Sequence, residues 1–247
     1  MVGLWFGLKT LVLLYLILIN NNNNMTQQII ERLIAFTGPD GIGKTTQAKL
    51  LVDWINSEDF RHKYNYYKVS YIKELNELNY VFKSFRDLVY SLYKQVDVIT
   101  LANVIKLNRY LLQDLIANDL EEHFDSITVV DRWNVCTYCY LKAKDIDEEI
   151  ALSYLIDEST LIPGLTIMLV GMNGAHRTSN RIDNNNMFED TEDAFKTKLA
   201  QIYIDFEEDM YSGKIVKINN DELTKDETQH LIRKAVLQYL TGRSIIK

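Results

Sequence analysis

The residues with the clearest chemical potential lie in one glycine-rich run, residues 38–45, which fits the pattern GxxxxGKT. Glycines let a backbone curl until successive N–H groups point at one anion, and a following helix adds its N-terminal dipole. A lysine at this spacing neutralises the β- and γ-phosphates of a nucleotide, and the hydroxyl after it can ligate Mg²⁺. We therefore predict a nucleoside triphosphate site, with Lys44 as a catalytic cation and Thr45 as a metal ligand. The predicted nucleotide-binding residues are Gly38, Pro39, Asp40, Gly41, Ile42, Gly43, Lys44, Thr45 and Thr46.

A second candidate site follows the apolar run at residues 127–130, which ends in Asp131 and Arg132. A carboxylate at the carboxyl end of a buried strand can organise Mg²⁺ beside a phosphate loop. The alternative is that Asp131 caps the helix that follows. A guanidinium can clamp a phosphate with two parallel hydrogen bonds, so Arg132 suits a second anion. We predict Asp131 as a metal ligand and Arg132 as a catalytic residue.

Strand-like and helical segments alternate along the chain around these residues. Short runs of branched apolar residues predict strands, and apolar residues spaced three or four apart predict helices. This alternation predicts an α/β fold in which a parallel five-stranded sheet is sandwiched by helices. The predicted strands cover residues 33–37, 67–72, 127–130, 165–170 and 215–218. The predicted helices cover residues 45–55, 82–93, 98–120, 194–210 and 226–240.

Composition limits the classes of protein that this chain can belong to. Of its 247 residues 47% are apolar, which supports a sizeable core, and we predict a single domain over residues 25–247 with a lid at about 174–188. A formal net charge of -7 argues against a nucleic-acid partner. A few local cations in a cleft can still bind a small anionic molecule. Two cysteines are too few for a disulfide-rich secreted scaffold, which indicates a reducing, cytoplasmic compartment.

The first residues of the chain have a different character. Residues 2–19 are almost wholly apolar and precede an asparagine run at 20–24. The apolar run is about as long as the shortest membrane-spanning helix, and it also resembles a signal peptide that lacks a small-residue cleavage site. We favour a third interpretation, in which translation begins at Met25. A membrane tether and a targeting peptide stay open as alternatives.

Five groups of residues together point to one enzyme family. They are Gly-Lys-Thr-Thr-Gln at 43–47, Asp40, Asn-Arg at 108–109, Val-Val-Asp-Arg-Trp at 129–133 and Pro-Gly-Leu-Thr at 163–166. With them the sequence resembles the thymidylate kinases over roughly residues 33–206. The resemblance implies a P-loop NTPase-type fold, ATP as co-substrate, Mg²⁺ as cofactor and transfer of a phosphoryl group to dTMP, giving dTDP. It also implies a homodimer, for which the helical residues 82–120 could supply an interface.

The resemblance further implies which residues bind the acceptor nucleotide. Asp40 resembles an acid near the acceptor sugar, and Arg132 resembles the arginine on the acceptor phosphate. Arg109 resembles an arginine of the long helix that approaches the acceptor's phosphate and base. Tyr140 takes the place of an aromatic that lines the base and sugar pocket, and Arg86 is a weaker match to a basic residue ahead of it. The implied substrate-binding residues are Asp40, Arg86, Ile105, Arg109, Arg132 and Tyr140.

The family places its catalytic cation in either of two positions. Some members have an arginine directly after the loop acid, whereas Gly41 follows Asp40 here. The predicted lid must then supply the cation, and it contains Arg177 and Arg181. Arginines that reach a transferring phosphoryl group offset the charge that develops on it. We predict both as catalytic residues; the alternative is two solvated arginines in a polar loop.

Other departures from the family concern the base. Ile105 stands where an aromatic commonly stacks on thymine, and Cys136 and Thr137 occupy positions that read the base edge. Residues 71–75 lack the usual Pro-Gly turn after the second strand. Alternatives therefore stay open: a kinase of another nucleoside monophosphate or of deoxynucleosides, a P-loop nucleotide-binding protein without transfer activity, and a membrane-attached regulatory protein.

Cys136 and Cys139 form a C-x-x-C pair that metal or redox sites also use. A zinc site needs two further ligands, and the four histidines show no matching spacing. We predict a packed, reduced pair on one face of a helix.

Overall fold

A computed structural model describes residues 29–64, 68–73, 80–92, 95–123, 125–157, 159–172 and 193–245. The apolar segment at 1–24 and the predicted lid at 174–188, with Arg177 and Arg181, lie outside these residues. Within the described ranges, no helix combines the length and apolar character that crossing a bilayer requires.

The centre of the molecule is a five-stranded sheet in the order β2-β3-β1-β4-β5, and every neighbouring pair of strands is parallel. Every residue of β4 is buried, as expected for an inner strand of a sheet covered on both faces. The predicted fold class is confirmed. The strands are β1 (Ile29–Thr37), β2 (Lys68–Lys73), β3 (Ser126–Asp131), β4 (Ile162–Val170) and β5 (Lys214–Asn219).

Helices cover both faces of the sheet and bury an apolar stripe against it. On one face, α1 and α8 contribute Leu51 and Val236 to a core with Ile34 and Val129. On the other face, α4 packs against β1 and β3, and α5, α6 and α7 pack against β4. The helices are α1 (Lys44–Ile55), α2 (Glu58–Tyr64), α3 (Tyr80–Leu92), α4 (Val98–Glu122), α5 (Asn134–Ala143), α6 (Glu148–Leu155), α7 (Asp193–Asp205) and α8 (Lys225–Gly242).

Three helical features differ from the sequence-based expectation. The sequence did not predict α2 or α6; α2 buries only Phe60, so it has no periodic apolar stripe. The helix expected to reach Met210 ends at Asp205, and a short 3-10 turn covers Glu208–Met210. The ammonium of Lys217 explains this end, because it donates to the carbonyls of Ile204 and Phe206.

The parallel sheet determines where the chemical groups meet. Phe36 of β1 and Lys73 of β2 both pair in register with Asp131, the last residue of β3. The carboxyl ends of three strands, and the loop that follows β1, therefore lie at one edge. This edge is where ligands bind in open α/β sheets.

Candidate active site

The phosphate loop is held in a conformation that only glycine adopts easily. Gly38 has a φ of 143°, and a Cβ added there would lie 2.2 Å from the carbonyl oxygen of Leu169. Gly43 has a φ of 104° and precedes α1, whose first turn receives no side-chain cap. The N–H groups at this helix end are consequently available to an anion.

The loop is also anchored from the far side of the sheet. The side-chain amide of Asn220, just after β5, donates to the carbonyl of Ile42 over 2.6 Å. The backbone N–H of Asn220 donates to Val170 over 2.9 Å, and its side-chain oxygen accepts from Thr228 of α8. The Ile42 carbonyl is therefore engaged by Asn220, which ties the loop to the end of β5 and to α8.

Lys44 is buried beside the loop, with 5% of its side chain exposed. Its ammonium donates to the carbonyl of Pro39 over 2.7 Å and lies 3.7 Å from Oδ1 of Asp40. Burial, with the charge of Arg132, lowers the pKa of Lys44. A phosphate that replaced the loop carbonyl beside this ammonium would bring a negative charge and so stabilise the charged form of Lys44.

Arg132 reaches the loop from the adjacent strand. It has a φ of 76°, an uncommon conformation for a side chain of this size, while its N–H continues the ladder to Phe36 over 3.0 Å. The guanidinium donates to Asp40. Burial alone raises the pKa of Asp40, but the charges of Arg132 and Lys44 outweigh it and lower that pKa to about 2. A strained backbone that aims a cation at a phosphate loop is typical of functional sites.

Asp131 lies between the loop and the second strand. Its Oδ2 accepts from the hydroxyl of Thr45 over 2.5 Å and from that of Tyr71 over 3.1 Å. Its Oδ1 is buried and has no hydrogen-bond partner among the described residues. Burial, with the charge of Asp131, raises the pKa of Tyr71, so the phenol stays a donor at neutral pH. A buried carboxylate oxygen without a partner, beside a threonine hydroxyl, is a donor set that fits Mg²⁺.

The two residues of the Asn-Arg motif lie in α4 away from solvent. Arg109 is 1% exposed, donates to the hydroxyl of Thr137 over 2.8 Å and lies 5.5 Å from the ring centroid of Trp133. Thr137 and Trp133 belong to the segment that follows Arg132, so Arg109 is joined to that segment. Asn108 is fully buried, and neither polar atom of its amide has a hydrogen-bond partner among the described residues.

Three other residues were predicted to bind the acceptor nucleotide, and they lie at different places relative to Arg109 and Thr137. Tyr140 is one turn along α5 from Thr137, and its ring lies 5.1 Å from that of Phe195. Ile105 is half-buried on α4, one turn before Arg109. Arg86 belongs to α3, where it forms an ion pair with the neighbouring Asp87. The expected role of Arg86 thus rests on the resemblance alone.

The two cysteines lie in α5, next to the phosphate loop. Both are free and buried, and Cys136 is 3.0 Å from the hydroxyl of Thr37, the residue before Gly38. Burial raises the pKa of the Cys139 thiol far above its usual value. Among the described residues, no group of three or more metal-ligating side chains is present. This environment favours packed thiols.

Sequence reasoning missed Tyr71 and Asn220, although both contact the site. Tyr71 was part of a predicted strand, and its hydroxyl becomes relevant only because β2 lies beside β3. Asn220 follows β5, and a polar residue at the carboxyl end of a strand was the signal that could have identified it.

The chain is similar to several known proteins. A sequence model of the family described as thymidylate kinase matches residues 36–232. A thymidylate kinase of Orientia tsutsugamushi (strain Ikeda) is 24% identical over 220 residues, which cover 84% of this chain and 94% of that protein. A thymidylate kinase structure from Ehrlichia chaffeensis has a TM-score of 0.57 at 20% identity and covers 86% of this chain and 99% of that one. One from Candida albicans has a TM-score of 0.59 at 18% identity, over 90% and 97% of the two chains.

The family match spans most of the chain and includes the phosphate loop, Asp131 and Arg132. The solved structures independently support the same fold. The chain belongs to the thymidylate kinase family, and it is a nucleoside monophosphate kinase of nucleotide biosynthesis that phosphorylates dTMP with ATP as donor.

Proposed function

We propose that the phosphate loop and Arg132 hold the two nucleotides end to end, so that the γ-phosphoryl group of ATP passes to the 5′-phosphate of dTMP. The observation that supports this most directly is the contact of Arg132 with Asp40, beside Lys44. It brings the cation that directly follows β3 next to the cation of the phosphate loop. Two cations at one edge of the sheet suit two polyanions that must approach each other.

On the donor side, the loop N–H groups and Lys44 bind the β- and γ-phosphates. Their contribution is electrostatic, because phosphoryl transfer spreads negative charge over the transferring group and needs no covalent intermediate. Lys44 is buried, and a buried charge acts more strongly on a phosphate than a solvated one. The Asn220 contact to the Ile42 carbonyl keeps the loop amides oriented before the nucleotide arrives.

On the acceptor side, Arg132 binds the phosphate of dTMP, and Asp40 meets the sugar, as the family resemblance implies. Asp40 keeps Arg132 directed at the loop until an acceptor phosphate competes for the guanidinium. Arg109, Thr137 and Tyr140 would then bind the nucleoside, in the roles that the family resemblance implies. Ile105 stands where the family commonly has an aromatic that stacks on the base, so we expect the base to bind more weakly.

Thr45 and Asp131 are the residues that would hold Mg²⁺. The ion would neutralise charge on the phosphates that it contacts. The Thr45 hydroxyl can donate its proton to Asp131 and still offer a lone pair to a cation. Oδ1 of Asp131 has no hydrogen-bond partner among the described residues, so it would be available to the ion.

Arg177 and Arg181 remain our candidates for the cation that offsets charge on the transferring group. They belong to the lid predicted at 174–188, whose closure would exclude water that otherwise hydrolyses ATP. Replacing each with alanine separately should identify the catalytic one by a loss in kcat without a matching rise in KM for dTMP.

The test is a coupled assay of ADP release with a panel of acceptors. The panel contains dTMP, dUMP, dGMP, dCMP, dAMP and unphosphorylated thymidine. We expect dTMP to give the highest kcat/KM and thymidine to give none. Background rates with every monophosphate would contradict the kinase function, and turnover of thymidine above that of dTMP would indicate a deoxynucleoside kinase.

A further inference from the structure

The two oxygens of the Asp131 carboxylate differ in their hydrogen bonds. Its Oδ2 accepts two hydrogen bonds, from Thr45 over 2.5 Å and from Tyr71 over 3.1 Å, whereas its buried Oδ1 has no hydrogen-bond partner among the described residues. The side chain itself is fully buried. The two donors therefore determine which oxygen stays available for a ligand.

The sheet register explains how Tyr71 reaches this carboxylate. Tyr71 of β2 pairs with Val129 of β3, two residues before Asp131. Side chains two apart on a strand lie on the same face, about 6.6 Å apart along it. Asp131 thus lies on the face that carries Val129, diagonally ahead of Tyr71. A tyrosine is long enough to span that diagonal, and a shorter polar side chain at this position would not reach Asp131.

Packing holds the ring of Tyr71 in this direction. Tyr71 packs against the core that α1 forms with the sheet, and the ammonium of Lys49 lies 5.9 Å from the centroid of its ring. A side chain fixed by packing can hold the group that it contacts at little entropic cost. A hydroxyl on a fixed ring is therefore a suitable second support for a metal-binding carboxylate.

We propose that Tyr71 is a positioning residue for the metal site, whose hydroxyl fixes the rotation of the Asp131 carboxylate and leaves Oδ1 available to the ion. This inference rests on the proposed metal-binding role of Thr45 and Asp131. Thr45 alone cannot set the rotation, since its hydroxyl must serve both the carboxylate and the ion. Tyr71 supplies the contact that is unaffected when the ion binds.

A purely structural role for Tyr71 makes a different prediction. If the hydroxyl only contributes to folding, its removal lowers the unfolding temperature and leaves the Mg²⁺ requirement unchanged. Tyr110 provides a matched control, because its hydroxyl donates to the carboxylate of Asp157 over 2.6 Å. That pair joins α4 to the segment before β4 and lies outside the phosphate-binding residues.

The experiment compares Tyr71→Phe and Tyr110→Phe with the unmodified protein in the full chain. The first readout is the shift in unfolding temperature that ATP produces as MgCl₂ is titrated, which needs no turnover. We expect Tyr71→Phe to raise the Mg²⁺ concentration for a half-maximal shift about tenfold, as for other groups that support metal ligands. Tyr110→Phe should lower the starting unfolding temperature and leave that concentration unchanged. The KM for dTMP should stay constant in both variants.

A double-mutant cycle with Asp131→Asn gives a second measurement. If Tyr71 acts through Asp131, Tyr71→Phe should have little further effect on the Mg²⁺ requirement once Asp131 is changed. The role of Tyr71 would be overturned if Tyr71→Phe changed the Mg²⁺ requirement equally in the unmodified protein and in Asp131→Asn, or if it did not change that requirement at all. Either result would leave the metal-binding role of Thr45 and Asp131 in place. An ATP-induced shift that does not depend on Mg²⁺ in the unmodified protein would overturn both this proposal and the metal-binding role of Thr45 and Asp131.

Discussion

The guanidinium of Arg132 and the carboxylate of Asp40 form an ion pair across the site, although they come from different loops. Oδ1 of Asp40 also lies 3.7 Å from the Lys44 ammonium. One carboxylate therefore lies beside two cations at once, the buried Lys44 and the partly exposed Arg132. A shared carboxylate lets two like charges lie close together in a folded protein.

The first prediction concerns the shape of the cation at position 132. Arg132→Lys keeps the charge but loses the planar fork that matches a phosphate. We expect kcat/KM for dTMP to fall about a hundredfold, the scale of losing one anion-stabilising donor. Steady-state kinetics would measure this change. Arg243→Lys is the control, since Arg243 pairs with Glu31 on the surface, and a loss of similar size there would contradict the assignment.

A second prediction separates the buried loop lysine from a solvated one. Lys44→Ala should reduce ATP turnover by about a hundredfold or more, because the phosphates lose their buried counter-charge. Lys234→Ala removes an exposed lysine of α8 and should change turnover by less than about twofold. Measuring ADP release at saturating dTMP tests both variants. Equal activity of Lys44→Ala and the unmodified protein would rule out the assigned role.

A third prediction follows from the fit of Gly38 against β4. Gly38→Ala would place a Cβ 2.2 Å from the carbonyl oxygen of Leu169, at a φ of 143°. We expect a loss of about 1–3 kcal/mol in the free energy of unfolding and weaker ATP binding. Gly242→Ala meets nothing within 4 Å at a helix end and should be neutral or slightly stabilising. Urea unfolding of both variants would show whether the strain is specific to the loop.

The fourth prediction is a pH dependence outside the active site. Burial alone raises the pKa of Asp157, but hydrogen bonds from Tyr110 and Ser159 and the charge of Lys106 outweigh it and lower that pKa to about 2. The carboxylate therefore stabilises the fold fully above its unfolded pKa of about 4, and this stability is lost as the pH falls toward 2.

Asp157→Asn should accordingly reduce the free energy of unfolding by about 2 kcal/mol at pH 7. The difference from the unmodified protein should shrink at pH 3, because the carboxyl is then mostly protonated in the unfolded chain. Denaturant titrations at the two pH values provide the measurement. A difference that grows as the pH falls would have the wrong sign and would contradict the assigned network.

Local patterns were sufficient to predict the sheet and the centre of the site. Thr45, Asp131 and Arg132 could be placed together because parallel strands end at a common edge. The order of the strands could not be predicted, since it depends on pairings between distant segments. The helix α2 escaped prediction because Phe60 is its single buried residue, which leaves no periodic signal.

Two contacts of the site are set by the tertiary fold and could not be predicted from local sequence patterns. Tyr71 reaches Asp131 only through the diagonal offset between β2 and β3. Asn220 reaches Ile42 across 178 positions of sequence. In both cases the residue type was visible in the sequence, but its partner was not, because the partner is fixed by the tertiary fold.

The link between Asn220 and Thr228 makes the last helix relevant to nucleotide binding. A stop codon soon after Asn220 would spare every residue proposed to touch a phosphate. It would nevertheless remove the hydroxyl that orients the Asn220 amide, together with the α8 side of the core that includes Val236. We expect such shortened chains to lose ATP affinity, so that genetic lesions near the C-terminus resemble those in the phosphate loop itself.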